Sequence, residues 1–253
     1  MSNLAWLLMS ALGVGTLIGA VGIGGILLIP ALTAFAGLSI HAAMATALFT
    51  FAFTGLAGTI MFQRRGSIDW TVTRPVLIGA VFFAFIGAWV NSRTGPGALA
   101  VILAGIIIFA GVYTLAAWHG VPQAAFAGRP RAQQILLFVL GALAGFGSGL
   151  TGVGGPALSV PLMVLCGFPA LTSIGTSQVI QIVAAASGTI GNLKYGTIDF
   201  QVAATVTLLE IIGVLIGARI VHAVNANMLR KFVAVLCVIV GMGLLGRELG
   251  WFR

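Results

Sequence analysis

Two glycine clusters, one in each half of the chain, carry the pattern with the clearest chemical meaning. Each is a Gly-x-Gly-Gly motif inside an apolar run, and the two are 130 residues apart: Gly22, Gly24 and Gly25, then Gly152, Gly154 and Gly155. Glycine interrupts a helix, and we predict that a new helix begins directly after each cluster, at Ile26 and at Pro156. The unpaired N–H groups and the positive dipole at such a helix start favour an anion.

Other glycines favour a different interpretation, in which small residues let two helices approach closely. This interpretation also stays open for the duplicated motif, although we favour a binding site there. It accounts for the glycines at helical spacing elsewhere: Gly15 and Gly19, then Gly141, Gly145 and Gly149, then Gly213 and Gly217. If the motif is a site, a side chain at Gly25 or Gly155 should strain the backbone and obstruct the anion.

Polar side chains inside the apolar runs form a second candidate set, because each is costly in lipid and usually faces a cavity or a partner helix. They are Thr46, Thr176, Ser177, Gln178 and Gln181. The two threonines are equivalent in the repeat, but the first-half equivalents of the last three are the apolar residues Ala47, Leu48 and Phe51. A site built from this set is therefore asymmetric. Hydrogen bonding between helices without a substrate is the alternative.

Acidic residues fall into two kinds. Glu210 lies at the middle of the apolar segment 200–222, where an unpaired carboxyl is expected to be protonated, and a role in proton coupling follows as a hypothesis. A structural protonated acid or an ion pair is the alternative. Asp69 and Asp199 each directly precede a predicted helix in a Gly-x-Ile-Asp sequence, so we predict that both are N-caps.

Composition places these residues in a membrane protein. Of 253 residues, 60% are hydrophobic and 6% are charged, whereas a soluble domain carries roughly a quarter charged residues. The net charge of +8 comes from cations in short loops, which fits membrane topology better than nucleic-acid binding. Two cysteines and three histidines are too scattered for a metal site, so we expect no metal and no cofactor.

The chain is an internal duplication. An offset of 130 residues aligns the glycine motifs, the two Gly-x-Ile-Asp sequences and the pair Ile86-Gly87-Ala88 with Ile216-Gly217-Ala218. We expect a first transmembrane repeat at 1–118, a linker at 119–134 and a second repeat at 135–253. Apolar segments lie near 4–20, 26–38, 41–62, 70–91 and 98–117, then near 134–150, 156–167, 170–192, 200–222 and 228–246.

The opening segment of each half is too long for one crossing. Residues 4–38 as a single helix would span about 52 Å at about 1.5 Å per residue, against a hydrocarbon core of about 30 Å. A glycine break leaves two short pieces, which favours a re-entrant hairpin over one kinked helix. Lys and Arg divide eight to four between the two sides in either arrangement. We choose the hairpin on length, which makes the halves inverted repeats with the N-terminus outside.

Taken together, these motifs resemble the sulfite exporter TauE/SafE family, also called the toluene sulfonate uptake permease family. The resemblance covers nearly the whole chain. It rests on the order and duplication of short motifs: the two glycine motifs with Pro30 and Pro161, Thr46, Gly175-Thr176-Ser177, and the two Gly-x-Ile-Asp loops. It implies a bacterial inner-membrane permease for sulfite, sulfonates or related organic anions, with ion or proton coupling. At position 26 the first half has isoleucine where the second has Pro156, so equal binding by both hairpins is not implied.

The sequence therefore predicts an all-α polytopic membrane protein of two homologous halves, with about four membrane segments each. We expect a secondary transporter for a small anion, with the lipid bilayer and the anion as its partners and no nucleic acid. An anion channel is the alternative, and a membrane enzyme is a weaker one because no catalytic constellation is present. Substrate, direction, coupling ion and oligomeric state, including a homo-oligomer, stay open.

Overall fold

Helices are the regular secondary structure of the parts that the structure describes, with no β-strand there. The computed structural model describes residues 3–21, 24–116, 124–195, 197–220, 235, 238–246 and 249–250. Within these ranges, six helices are long and apolar enough to cross a membrane. The predicted class, an all-helical multi-span membrane protein, is confirmed.

Nine α-helices have defined bounds, and residues 238–246 are also helical. They are α1 (Asn3–Val21), α2 (Leu28–Phe35), α3 (Ile40–Arg64), α4 (Trp70–Asn91), α5 (Pro96–Ala116), α6 (Pro130–Thr151), α7 (Pro156–Leu165), α8 (Ala170–Tyr195) and α9 (Phe200–Ile220). The six membrane-length apolar helices are α1, α3, α4, α5, α6 and α9. Helix α8 has 26 residues but carries more polar ones.

Helix starts follow local sequence signals. Asp69 caps α4 by accepting the Thr71 N–H at 2.9 Å, and Asp199 caps α9 by accepting the Val202 N–H at 3.0 Å. Both N-cap predictions agree with this geometry. A hydrogen bond from the Thr71 hydroxyl, assisted by backbone N–H groups, lowers the pKa of Asp69 from its ordinary value.

Two boundaries differ from the sequence prediction. After the first glycine motif, Gly24–Leu27 forms a 3₁₀ turn and the α-helix begins at Leu28, not at Ile26. After the second motif the helix begins at Pro156 as predicted, because proline fixes a helical φ at this first position. The predicted linker 119–134 ends early for the same reason, since α6 begins at Pro130.

The chain reverses direction at both glycine motifs. Near the start of α1, Trp6 stacks on Phe35 at the end of α2, with ring centroids 6.3 Å apart. In the second half, the Ala125 N–H ahead of α6 donates to the Cys166 carbonyl after α7 at 2.8 Å. Each half thus opens with two antiparallel pieces in place of one kinked helix. We call α1 with α2 the first hairpin, and α6 with α7 the second hairpin.

Glycines join each hairpin to a helix of the other half. A methyl group on Gly145 or Gly149 of α6 would overlap the backbone of Ala80 or Ala84 in α4. The glycine further along α6 meets the residue further along α4, so the two helices run parallel.

The repeat equivalents behave in the same way. Gly15 and Gly19 of α1 meet the backbone of Glu210 and Val214 in α9, so that pair is also parallel. Gly141 meets Val76, while Gly213 and Gly217 meet the backbone of α1 around Thr16. The close-approach interpretation therefore describes the glycines for which it was given.

Helices α3 and α8, which are repeat equivalents, cross at the centre of the protein. Gly58 of α3 lies against Gln178, Phe51 accepts from Gln181, and Leu48 lies against Gly188. Residues further along α8 meet residues nearer the start of α3, so the two helices are antiparallel. This crossing holds the two glycine motifs against a common surface.

Candidate functional site

Both glycine breaks converge on one aromatic ring. An added methyl group would lie 3.0 Å from the Phe51 ring if it were placed on Gly25, and 3.0 Å from the same ring if it were placed on Gly154. The methyl on Gly25 would also lie 3.5 Å from the carbonyl oxygen of Val153, in the second break. Phe51 is 1% exposed, so the two breaks meet at a buried point on α3.

Gln181 faces the same point from α8. Its side-chain Nε2 donates to the Phe51 carbonyl at 3.2 Å and to Thr54 Oγ1 at 2.8 Å, and the residue is 2% exposed. Gln181 and Phe51 are 130 residues apart, so equivalent positions of the sequence offset meet here as an amide and a phenyl ring. The two residues differ in chemistry, and a substrate site that uses them stays a prediction.

The start of α7 supplies backbone donors at this point. The first backbone hydrogen bond into the helix runs from Ser159 N–H to the Gly155 carbonyl at 3.0 Å. The N–H groups of Ala157 and Leu158 therefore have no partner within the helix, and no side chain caps it. This arrangement places uncapped N–H groups and the positive dipole end close to the Phe51 ring.

The backbone conformations that require glycine fall at other positions than Gly25 and Gly155. Gly155 has a φ of −57°, which any residue adopts, and Gly25 has no positive φ. The expectation that a side chain at these two positions strains the backbone is therefore wrong. The left-handed glycines are Gly152, at φ 66°, and Gly154, at φ 80°, which together turn the chain between α6 and α7.

The space between the breaks is a closed crevice. It has no room for a water molecule, so substrate entry requires the surrounding helices to move apart. Its walls come from both hairpins and from the two crossing helices: Ile18, Gly25, Phe51, Val153, Pro156, Ala157 and Gln181.

Three of the predicted hydroxyl residues face elsewhere. Thr46 Oγ1 accepts the Asp199 N–H at 3.1 Å, and Thr176 shares a hydrogen bond of 2.9 Å with Thr73 of α4. Ser177 donates to the Ile174 carbonyl at 2.7 Å. Thr46 and Thr176 thus join α3 to the start of α9 and α8 to the start of α4. Their role as substrate ligands stays a prediction, and it requires a rearrangement that turns these side chains toward the breaks.

Gln178 is the residue of the predicted set with the least satisfied side chain. It is fully buried, it lies over Gly58, and neither its amide nitrogen nor its amide oxygen has a hydrogen-bond partner. A buried amide without a partner costs about 1–3 kcal/mol. That cost favours a state in which another group, from substrate or from a moved helix, bonds to this amide.

Glu210 lies where α9 packs on α1 and α3. It is fully buried and neither carboxyl oxygen has a hydrogen-bond partner. The side chain of Thr50 lies against the carboxyl, but its hydroxyl donates to the Ala47 carbonyl at 2.9 Å. The repeat equivalents of Glu210 and Thr50 are Ala80 and Ile180, so the acid is present in one half only.

Sequence reasoning missed the residue at the centre of the site. It named Phe51 only as an apolar counterpart of Gln181 and did not name Val153 or Thr54 at all. The available signal was that residues 51 and 181 occupy equivalent positions, 130 residues apart, because equivalent positions of two crossing helices can meet where the helices cross.

Of the other predicted site residues, Gly22 lies outside the described residues, and Gly24 is described as the start of the 3₁₀ turn. No group of three His, Cys, Asp or Glu forms a metal site within the described ranges.

Comparison with known proteins gives a family-level match. A family model described as sulfite exporter TauE/SafE matches residues 7–244. The chain is 28% identical over 239 residues to "Probable membrane transporter protein YdhB" of Bacillus subtilis, covering 91% of this chain and 96% of that protein. "Probable membrane transporter protein YunE" of the same organism is 26% identical over 249 residues, covering 90% of this chain and 89% of that protein. No solved structure matches.

Proposed function

The chain belongs to the sulfite exporter TauE/SafE family of membrane transporters, and from this premise we propose that it is a secondary transporter for a small anion. Sulfite, a sulfonate or a related organic anion is the substrate class, and the bacterial inner membrane is the location. The anion binds between the two glycine breaks and undergoes no covalent change.

One observation carries this proposal. The two breaks, far apart in sequence, meet at a buried point that holds uncapped N–H groups and a glutamine amide. Non-helical backbone at membrane depth is tolerated where it is enclosed by protein or lines a cavity, and broken helices at corresponding positions of two repeats commonly hold the substrate of a transporter. The described Arg and Lys residues lie in loops or near helix ends, so backbone N–H groups perform the binding, together with the Gln181 amide once helix movement releases it from Phe51 and Thr54.

Inverted halves give this site a route to both sides of the membrane. Support comes from direction: the equivalent helices α3 and α8 are antiparallel, whereas α4 runs parallel to α6 and α1 parallel to α9. Two halves related in this way exchange roles when each hairpin moves against its partner helix.

Cysteine labelling should place residue 2 and the 129–131 linker on opposite sides of the membrane. If both positions are labelled from the same side, the inversion is refuted.

Transport by purified protein in liposomes tests the function. We expect saturable uptake of at least one of sulfite, thiosulfate, sulfoacetate and taurine, with little uptake of a carboxylate control. Preloaded unlabelled substrate should accelerate entry of labelled substrate, because a carrier exchanges one molecule for another.

A channel would give a different result in the same liposomes. Flux would rise without saturation as substrate increases, and preloading would not accelerate it. That outcome would reject the carrier mechanism, but it would still support a path for anions through the protein. Loss of both saturable uptake and conductance for every anion in the set would reject the proposal.

A further inference from the structure

A groove of about 700 Å³ lies between α4 and α6, away from the glycine breaks. The two helices run parallel, so both begin at the same end of the protein, and the groove lies along their first turns. Among the described residues, the groove is lined by residues of these two helices: Thr71, Arg74, Pro75, Ile78, Arg131, Gln134, Ile135 and Phe138.

The lining changes from polar to apolar along the helices. Its arginines lie in the first turns of the helices, while Ile78, Ile135 and Phe138 lie one to two turns further along them. These three apolar side chains are 55%, 66% and 37% exposed, so none of the described helices covers them. The groove is therefore shaped for a molecule with a polar head and an apolar body.

The arginines are available for an anion. Arg74 and Arg131 are both exposed, and in the described ranges neither makes a hydrogen bond or ion pair with protein. Asp69, the acid nearest in sequence, accepts the Thr71 N–H at 2.9 Å and the Thr71 hydroxyl at 2.6 Å. Two unpaired cations that share one groove repel each other, and an anionic group between them removes that cost.

The positions 130 residues away show that helix packing does not require these cations, because α1 and α9 also pack in parallel. Residue 204, which corresponds to Arg74, is alanine, and residue 1, which corresponds to Arg131, is methionine. The apolar character persists there in Leu8, the equivalent of Phe138. The arginine pair is thus a property of one end of the protein, the end that also carries Arg64, Arg65 and Arg129 and that the eight-to-four charge count places in the cytoplasmic leaflet.

We propose that this groove binds one anionic phospholipid. Its phosphate lies between the guanidinium groups of Arg74 and Arg131, and its acyl chains lie along Ile78, Ile135 and Phe138. Basic pockets between membrane helices on the cytoplasmic side have the chemistry for such head groups, and the leaflet there is rich in anionic lipid. The site is separate from the proposed anion site, and its occupancy does not depend on which substrate the protein carries.

Native mass spectrometry of the full chain in detergent tests the proposal. Phosphatidylglycerol should be retained as one tightly bound molecule, in preference to phosphatidylcholine with the same acyl chains. Arg74→Gln or Arg131→Gln should weaken retention about fivefold, and the double variant about thirtyfold, because each cation near the surface contributes a similar increment. Both side chains are exposed, so the variants should remain folded and the spectrum reports their mass directly.

A control and a competitor complete the test. Arg129→Gln removes a cation at the same end that does not line the groove, and it should leave retention unchanged. Inorganic phosphate and glycerophosphoglycerol, which is the head group without acyl chains, should not displace the lipid at millimolar concentration. The proposal is overturned if the double variant retains phosphatidylglycerol as the wild type does, if Arg129→Gln weakens it equally, or if the free anions displace it.

Discussion

Replacing Gly149 by alanine should destabilise the protein by about 3 kcal/mol or more, because the added methyl group meets backbone rather than side chain. The methyl would overlap the carbonyl of Ala84 and lie 2.9 Å from the Ala88 N–H, on a helix that runs parallel to α6 over its length. Neither helix can yield locally without breaking the contacts at Gly145 and Gly141. Thermal unfolding in detergent, followed by the loss of the folded peak in size-exclusion chromatography, measures the effect.

Gly105→Ala is the matched control. Gly105 lies in α5, and a methyl group there would meet nothing within 4 Å. Alanine is the better helix former by about 1 kcal/mol, so this variant should melt at the same temperature as the wild type or above it. Gly19→Ala, at the repeat equivalent of Gly149, should behave as Gly149→Ala does. Equal stability of the Gly105 and Gly149 variants would contradict the parallel packing of α4 and α6.

Replacing Glu210 by glutamine should abolish the response of transport to a pH gradient while substrate exchange continues. With one proton moved per anion, wild-type protein accumulates substrate about tenfold per pH unit, since one unit is about 1.4 kcal/mol. Glutamine has the size of glutamic acid but cannot bind or release a proton, so the pH gradient no longer acts on this side chain. Accumulation in proteoliposomes with and without a pH difference, compared with counterflow at equal pH, separates the two activities.

The surroundings of Glu210 make it the acid to test. The helices packed against it are α1, which contains no charged residue, and α3, whose His41 and Arg64 lie at its two ends. Arg219 is in the last turn of α9 itself. Asp199→Asn is the control, because it changes the other acid of α9 and asparagine also caps helices. Continued accumulation in the Glu210 variant, or equal loss in the Asp199 variant, would reject the coupling role.

Much of the fold follows from the sequence because the membrane restricts the choices. Apolar runs of sufficient length must be helices, and an opening segment too long for one crossing must break, which glycine permits. The segment 70–91 was predicted with the bounds that α4 has. Proline explains why the second break was located correctly at Pro156. The first break has no such residue, and its Gly-Gly-Ile-Leu sequence continues as a tighter 3₁₀ turn before the α-helix begins.

The centre of the site was harder to predict because it depends on which faces meet. Thr46 and Thr176 were selected as equivalent polar residues in helices, yet each faces a helix start at a different end of the protein. Periodicity places a residue on a face of its own helix, but it does not say which neighbour that face contacts. The crossing of α3 and α8 decides this, and it brings Phe51 and Gln181 to the breaks.

The location of the substrate between the breaks is the central claim, and direct binding measurements test it. A methyl group on Gly155 would lie 2.8 Å from Ile180 Cγ2 and 3.3 Å from the Gln181 backbone nitrogen, so either α8 or the start of α7 must shift to make room for it. Gln181→Ala removes one neutral donor, which contributes on the order of 1 kcal/mol. Arg93 is the reference, because it lies 4.5 Å over the Trp89 ring near the end of α4 and far along the chain from either break.

The measurement is equilibrium binding of the best transported anion to folded Gly155→Ala, Gln181→Ala and Arg93→Gln proteins. We expect affinity to fall more than about tenfold for Gly155→Ala and about fivefold for Gln181→Ala, and to stay at the wild-type value for Arg93→Gln. Wild-type affinity in the first two variants, together with loss of binding in the third, would contradict the account and place the anion outside the glycine breaks.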